Sequence, residues 1–210
     1  MNQIIKNTII LFVITLVAGI CLGTVHDITL DPIAQAQEAA ATKTYQEVYP
    51  DAASFDEPQE LADAVTAAAD SISEWGFGKV TINDAKEALD ASGNQIGYLI
   101  TSTSAESYGG NVQIAVGITN EGELTGIGFL SISDTPGLGM RAKEPDFKDQ
   151  FIGKKAENLE VTKTGASADN QIEAISGATI TTNAVTNAVD SALVYFQNTF
   201  QNELGGMINE

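Results

Sequence analysis

Between residues 9 and 25 the chain is apolar almost without a break (IILFVITLVAGICLGTV). With Thr8 and its flanks the run approaches the ~20 residues that a helix needs to cross a bilayer. The pattern predicts one membrane helix. Beyond it the hydrophobic positions fall into shorter groups. Residues 30–41 (LDPIAQAQEAAA) are rich in Ala and Gln and predict a helix or stalk leaving the membrane. Pro50 ends any such helix at Tyr49, because the residue before a proline is driven out of the α region. Leu61, Val65, Ala68 and Ile72 form a weak helical stripe after Pro58. The acidic residues around that stripe, from Asp51 to Glu74, read as a solvated face. Trp75 is then a core or rim aromatic.

From Ile96 the period changes to that of strands. Residues 96–103 form one apolar run, and Val112, Ile114, Val116 and Ile118 alternate with Gln113, Ala115, Gly117 and Thr119, as in a half-buried strand. Asn120, Glu121 and Gly122 supply a turn, and residues 124–132 return as the second strand of a hairpin. Phe147 and Phe151, four apart after Pro145, predict a short helix, and residues 159–163 one more strand. Val185, Ala188, Val189, Ala192, Leu193, Phe196 and Phe200 recur at three- and four-residue steps, the stripe of a core-facing C-terminal helix. Strands followed by helices, without βαβ alternation, indicate an α+β domain of antiparallel strands. The predicted layout is a cytoplasmic N-terminus and anchor over residues 1–26, a stalk and acidic helical segment over 27–75, a globular domain over 76–205 and a tail over 206–210.

Charge and composition narrow the setting. Ten basic residues against 28 acidic ones give a net charge of −18, which argues against nucleic-acid binding. Lys6 precedes the apolar run and Asp27 and Asp31 follow it. The positive-inside bias therefore places the N-terminus in the cytoplasm and the domain outside, on a single-pass anchor in the cell (inner) membrane. A cleaved signal peptide is the rival account, but no small-x-small site closes the segment. Ile20 before Cys21 does not fit a lipoprotein site, and Cys21 reads as a small packing residue. One cysteine cannot hold an iron–sulfur cluster or a c-type haem. His26, the sole histidine, lies at the membrane border, which excludes a Ser-His-Asp triad or a histidine zinc site in the outer domain. Any redox carrier there has to be an organic cofactor.

Three segments of the domain can carry chemistry. Residues 175–182 (ISGATITT) stand directly before the C-terminal helix, which puts Thr179 at or just before a helix N-terminus. Unpaired amides and the positive end of the helix dipole favour an anion such as phosphate at that place. Gly177 and Ala178 leave the Thr179 hydroxyl open to a bulky group. Local physics alone favours a plain N-cap, worth ~1 kcal/mol. In residues 133–139 (SDTPGLG), Pro136 and Gly137 suit the centre of a type II turn, which exposes backbone amides. Tyr108, within Ser107-Tyr108-Gly109-Gly110, is either a hairpin-rim side chain or a platform for a flat ring. Arg141 fits a surface ion pair or an anion contact. Lys143, Lys148, Lys154, Lys155 and Lys163 either balance the domain's own charge or form a docking patch.

Ser176, Gly177, Ala178 and Thr179, with a hydroxyl residue at Thr181, resemble the flavinylation motif of the FMN-binding domain found in the RnfG protein of Rnf complexes and the NqrC protein of Nqr complexes. Thr135, Pro136, Gly137, Leu138 and Gly139 are similar to that family's second signature, in the family's order. Residues 27–36 and 45–52 also look like RnfG. The resemblance implies FMN bound covalently to Thr179 through a phosphodiester, installed by a dedicated ApbE-type flavin transferase. Ser176, Gly177, Ala178, Thr181, Thr135, Gly137, Leu138, Gly139 and Tyr108 would lie around the flavin. It further implies an electron-relay component of an ion-translocating ferredoxin:NAD oxidoreductase whose partners are the other Rnf subunits. The chain departs from the family at Ser107, where Gly is usual, and at Glu173, where Asp is usual. Two other roles remain open on the residues: an anchored flavoprotein serving another extracytoplasmic pathway, and a non-redox assembly module in which Thr179 is only a cap.

Overall fold

The computed structural model describes residues 2–155 and 158–201. Helix α1 spans Asn2–Val48 and contains an apolar stretch long enough to cross a membrane. Among the described residues, those up to Thr42 form one unit and those from Lys43 onward another. Within the first unit Phe12, Leu16, Val17 and Ile20 are exposed, as suits a helix solvated by hydrocarbon. Its threonines hide their polarity in the backbone. The hydroxyls of Thr8 and Thr24 donate to the carbonyls of Ile4 (2.9 Å) and Ile20 (2.8 Å), the local partner such groups find where there is no water. The helix also runs through Pro32, which adds no amide to it.

The second unit is built on an antiparallel sheet of five strands in sequence order: β1 Ser54–Asp56, β2 Val80–Leu89, β3 Gln95–Ser107, β4 Gly110–Thr119 and β5 Leu124–Ile132. One face is covered by α2 (Gln59–Ile72) and by α4 (Thr179–Phe196), the predicted C-terminal helix. Val112, Ile114, Val116 and Ile118 are buried beneath them, as their period requires. The expectation that β4 is half-buried is corrected on the opposite face. There Ala115 is fully buried with Leu99 and Val48, because the last residues of α1 lie on that side. Glycines make the approach close. A Cβ at Gly128 would fall on Thr44 and Val48, and one at Gly117 on Val48 and Thr125. The Thr125 hydroxyl donates to Val48 O (2.8 Å) and the Tyr49 hydroxyl to Ile96 O (2.7 Å), which pins the segment.

The structure also differs from the boundary expected at residue 76. Leu61 and Ile72 of α2 belong to the main core and β1 pairs with β2, so residues 43–75 are part of the compact unit rather than a separate stalk. Strand β2 has no counterpart among the predicted elements. Its sequence, VTINDAKEAL, carries a register shift between Ile82 and Asp84 that breaks the period of two. After β5 come a 3₁₀ turn at Gly139–Lys143, the short helix α3 (Pro145–Lys148) and a 3₁₀ turn at Asp149–Phe151. Phe147 and Phe151 meet edge to face at 5.5 Å. Strand β6 (Glu160–Thr162) lies where one was expected and pairs in parallel with β7 (Gln171–Glu173). Helix α4 buries Val185, Ala188, Val189, Ala192, Leu193 and Phe196. Each of the larger side chains contributes ~1.5–3 kcal/mol, enough to hold the helix start in one place.

Candidate flavin site

Three loops meet at one end of the sheet. Ser107 pairs with Gly110 across Tyr108 and Gly109, which turns β3 into β4. Gly109 has no room for a side chain, since a Cβ would fall on Ser133 O and Asp134 Cα. The hairpin tip therefore rests on the exit of β5. There Leu138 N donates to Thr135 O at 3.1 Å and Gly137 has φ +73°, the geometry of a type II turn with Pro136 and Gly137 at its centre. A Cβ at Gly139 would fall on the Asp134 carboxyl. The third loop precedes α4. Ala178 N donates to Ile175 O (2.9 Å), Gly177 takes φ +79°, and a Cβ built on Gly177 would sit 3.2 Å from the Leu138 side chain.

Asp134 joins the three. Its Oδ2 accepts from the Ser107 hydroxyl (2.7 Å) and the Thr181 hydroxyl (2.6 Å), and its Oδ1 from Thr135 N (2.8 Å). Burial pushes this carboxyl up, but the bonds from Thr181, Ser107, Thr135 and Gly109 outweigh it and hold the group below its ordinary value. Asp134 is thus a carboxylate in the folded protein. Helix α4 begins at Thr179 with Ala178 in the capping position, and no side chain caps it there. The hydroxyl of Thr182 is occupied, donating to Ala178 O (3.0 Å) and accepting from Ile175 N (3.1 Å). Thr179 is half-buried, whereas Thr181 and Thr182 are buried.

Residues 107–194, which contain all three loops, match the FMN-binding domain family, and residues 1–48 match the RnfG N-terminal region. Over 203 residues the chain is 34% identical to the G subunit of the Na⁺-translocating ferredoxin:NAD⁺ oxidoreductase complex of Acetobacterium woodii, covering 93% of this chain and 92% of that protein. The chain belongs to the RnfG family. A second member, the G subunit of the proton-translocating ferredoxin:NAD⁺ oxidoreductase complex of Clostridium ljungdahlii, is 29% identical over 194 residues, 91% of each chain. Among solved structures, that of Shewanella oneidensis NqrC aligns over 58% of this chain and 60% of that one, at 20% identity and a TM-score of 0.49.

In this member of the RnfG family the residues singled out from sequence fall into two groups. Ser176, Gly177, Gly137, Leu138 and Tyr108 are exposed, Thr135 and Thr179 half-buried, and these face the space a ligand can reach. Ala178, Gly139 and Thr181 are buried. The Thr181 hydroxyl donates to Asp134 (2.6 Å) and so ties the start of α4 to the exit of β5. Arg141 pairs with Glu144 (3.3 Å) on the surface, an interaction worth ~0–1 kcal/mol. Glu173 is exposed on β7, where its amide donates to the Gln150 side chain (2.7 Å). Of the five lysines, Lys154 donates to the Asp169 carbonyl (2.7 Å). Sequence reasoning missed Asp134 and the role of Ser107. The one local signal for Asp134 was an acidic residue opening the Thr-Pro-Gly turn.

Proposed function

We propose that this chain is the electron-relay component of an ion-translocating ferredoxin:NAD oxidoreductase and carries FMN as a phosphodiester on Thr179. The observation that carries the reading is the start of α4. Thr179 is the first helical residue rather than the cap, so its hydroxyl is not spent on capping. The amides of Thr179, Ile180 and Thr181 are in the first turn, where a helix offers no carbonyl partner, and suit the oxygens of an anionic phosphodiester. Tyr108, Leu138 and Ile180 are exposed apolar side chains on the three converging segments and suit the flat apolar ring.

The surroundings favour a covalent link. On a chain of net charge −18, an anionic cofactor lying on an open surface would dissociate. Esterification breaks the Thr179 O–H bond and forms an O–P bond. A flavin transferase would draw the FMN from a flavin phosphoanhydride, whose other half leaves. FMN, once bound, supplies one- and two-electron redox chemistry.

The other Rnf subunits are the redox partners in this reading. The domain stands outside the cell membrane on α1, with the N-terminus inside; Lys6 before the apolar run and Asp27 and Asp31 after it support that orientation. Membranes carrying Thr179→Ala in an assembled complex are expected to lose electron transfer from reduced ferredoxin to NAD while the other subunits still copurify. Retention of wild-type transfer by that variant would sink the proposal.

A further inference from the structure

Five threonines and serines lie within seven residues of the start of α4: Ser176, Thr179, Thr181, Thr182 and Thr186. They are not equivalent. Thr181, Thr182 and Thr186 are buried, and the hydroxyls of the first two are bonded. The bond that holds Thr181 ends on Asp134, whose carboxylate is 27 residues from Ser107 and 47 from Thr181 and touches both. Asp134 is 8% exposed, and the close approach of Gly109 and Gly139 encloses it with backbone. Two hydroxyl donors converge on Oδ2 and the Thr135 amide donates to Oδ1, so both oxygens must accept, which a carboxylate does and a neutral amide, with an NH₂ in place of one oxygen, does not.

We propose that Asp134 is the positioning residue of the attachment site: by binding Ser107, Thr135 and Thr181 together it fixes the first turn of α4 against the 135–139 turn and the hairpin tip, and so presents Thr179 as the hydroxyl to be modified. The inference rests on Thr179 being the attachment point. Asp134 acts through its neighbours, and Thr181 is the arm by which it reaches the helix. A small displacement of a reacting hydroxyl can cost ~10²-fold in rate, so the expected consequence lies in turnover of the modifying enzyme rather than in its affinity for the chain.

The test uses the full-length protein in detergent with a flavin transferase and its flavin donor. Asp134→Asn keeps the size but puts an NH₂ where one of the two oxygens stood. It is expected to lower kcat for flavin attachment at least ~10-fold with KM nearly unchanged. Thr181→Val is expected to lower kcat in the same direction, and the double variant to be no worse than Asp134→Asn alone, since both remove one connection. Hydrogen exchange on the unmodified protein gives a readout independent of flavin: the amide of Thr182, which donates to Ala178 O, exchanges ~10-fold faster in Asp134→Asn, through local opening. Ile118→Val, in the core at the other end of β4, controls for stability. If it slows attachment as much as Asp134→Asn at an equal loss of melting temperature, Asp134 is merely structural and the proposal is overturned. Wild-type kcat and wild-type exchange in Asp134→Asn overturn it too. Should wild type itself take up no flavin, the attachment reading fails, and the exchange experiment still judges the role of Asp134.

Discussion

Asp134 and Asp190 are both buried carboxylates, and their surroundings shift them in opposite directions. Hydrogen bonds hold Asp134 below its ordinary value. Its stabilising contribution is therefore present above the unfolded value of ~3.9 and is lost as pH falls through the lower folded value. Asp190, on α4, is 2% exposed; burial pushes it up to about 7, opposed by one bond from Leu159 N (2.9 Å). A folded value above the unfolded one means that its contribution is full below ~4 and is lost as pH rises to about 7. Asp190→Asn keeps an acceptor for Leu159 and cannot ionise. Its melting temperature relative to wild type is expected to rise between pH 5 and pH 8, and a constant difference across that range would contradict the assignment. Thr181→Val leaves Asp134 with one donor fewer and is expected to cost ~1–3 kcal/mol in denaturant unfolding. At this scale Thr179 stands out as a candidate because its motif is contiguous. Asp134 does not, because its partners lie far along the chain and an aspartate before Thr-Pro-Gly reads as an ordinary turn residue.

Among the elements, β4, β5 and α4 announce themselves through clean periods, and the structure places them as expected. Strand β2 escapes because the shift after Ile82 moves Ala85 and Ala88 out of simple alternation, while Asp84, Lys86 and Glu87 read as a solvated face. The second covered face of the sheet was equally hidden. Ala115, Gly117 and Gly128 look like weak strand residues until the end of α1 is laid on them, and then their small size is the requirement. Gly128→Val is accordingly expected to destabilise the domain by ~1–3 kcal/mol through overpacking against Thr44 and Val48. Thermal unfolding followed by circular dichroism checks this. An unchanged melting temperature would mean that the α1 residues do not sit where the glycines admit them.

For the whole molecule, the sequence supports an anchor, an acidic outer surface and a cofactor that cannot be a metal–thiolate cluster. Each part follows from a count: one apolar run, a charge of −18, one cysteine. Orientation is open to direct measurement, and protease added to intact cells is expected to remove the domain and spare the anchor. Survival of the domain under conditions that digest a known external protein would reverse the topology. What composition could not supply is the identity of the carrier, which came from two short motifs and from the family match over residues 107–194. The structure adds that these motifs share one place and that the hydroxyl at the head of α4 is not used as a cap. Mass spectrometry of the protein coexpressed with a flavin transferase, intact and after digestion, tests this most directly. The expected result is a mass gain of one FMN less one water, located on the peptide containing Thr179 and absent from Thr179→Ala. No adduct on wild type, or the same adduct on Thr179→Ala, would contradict it.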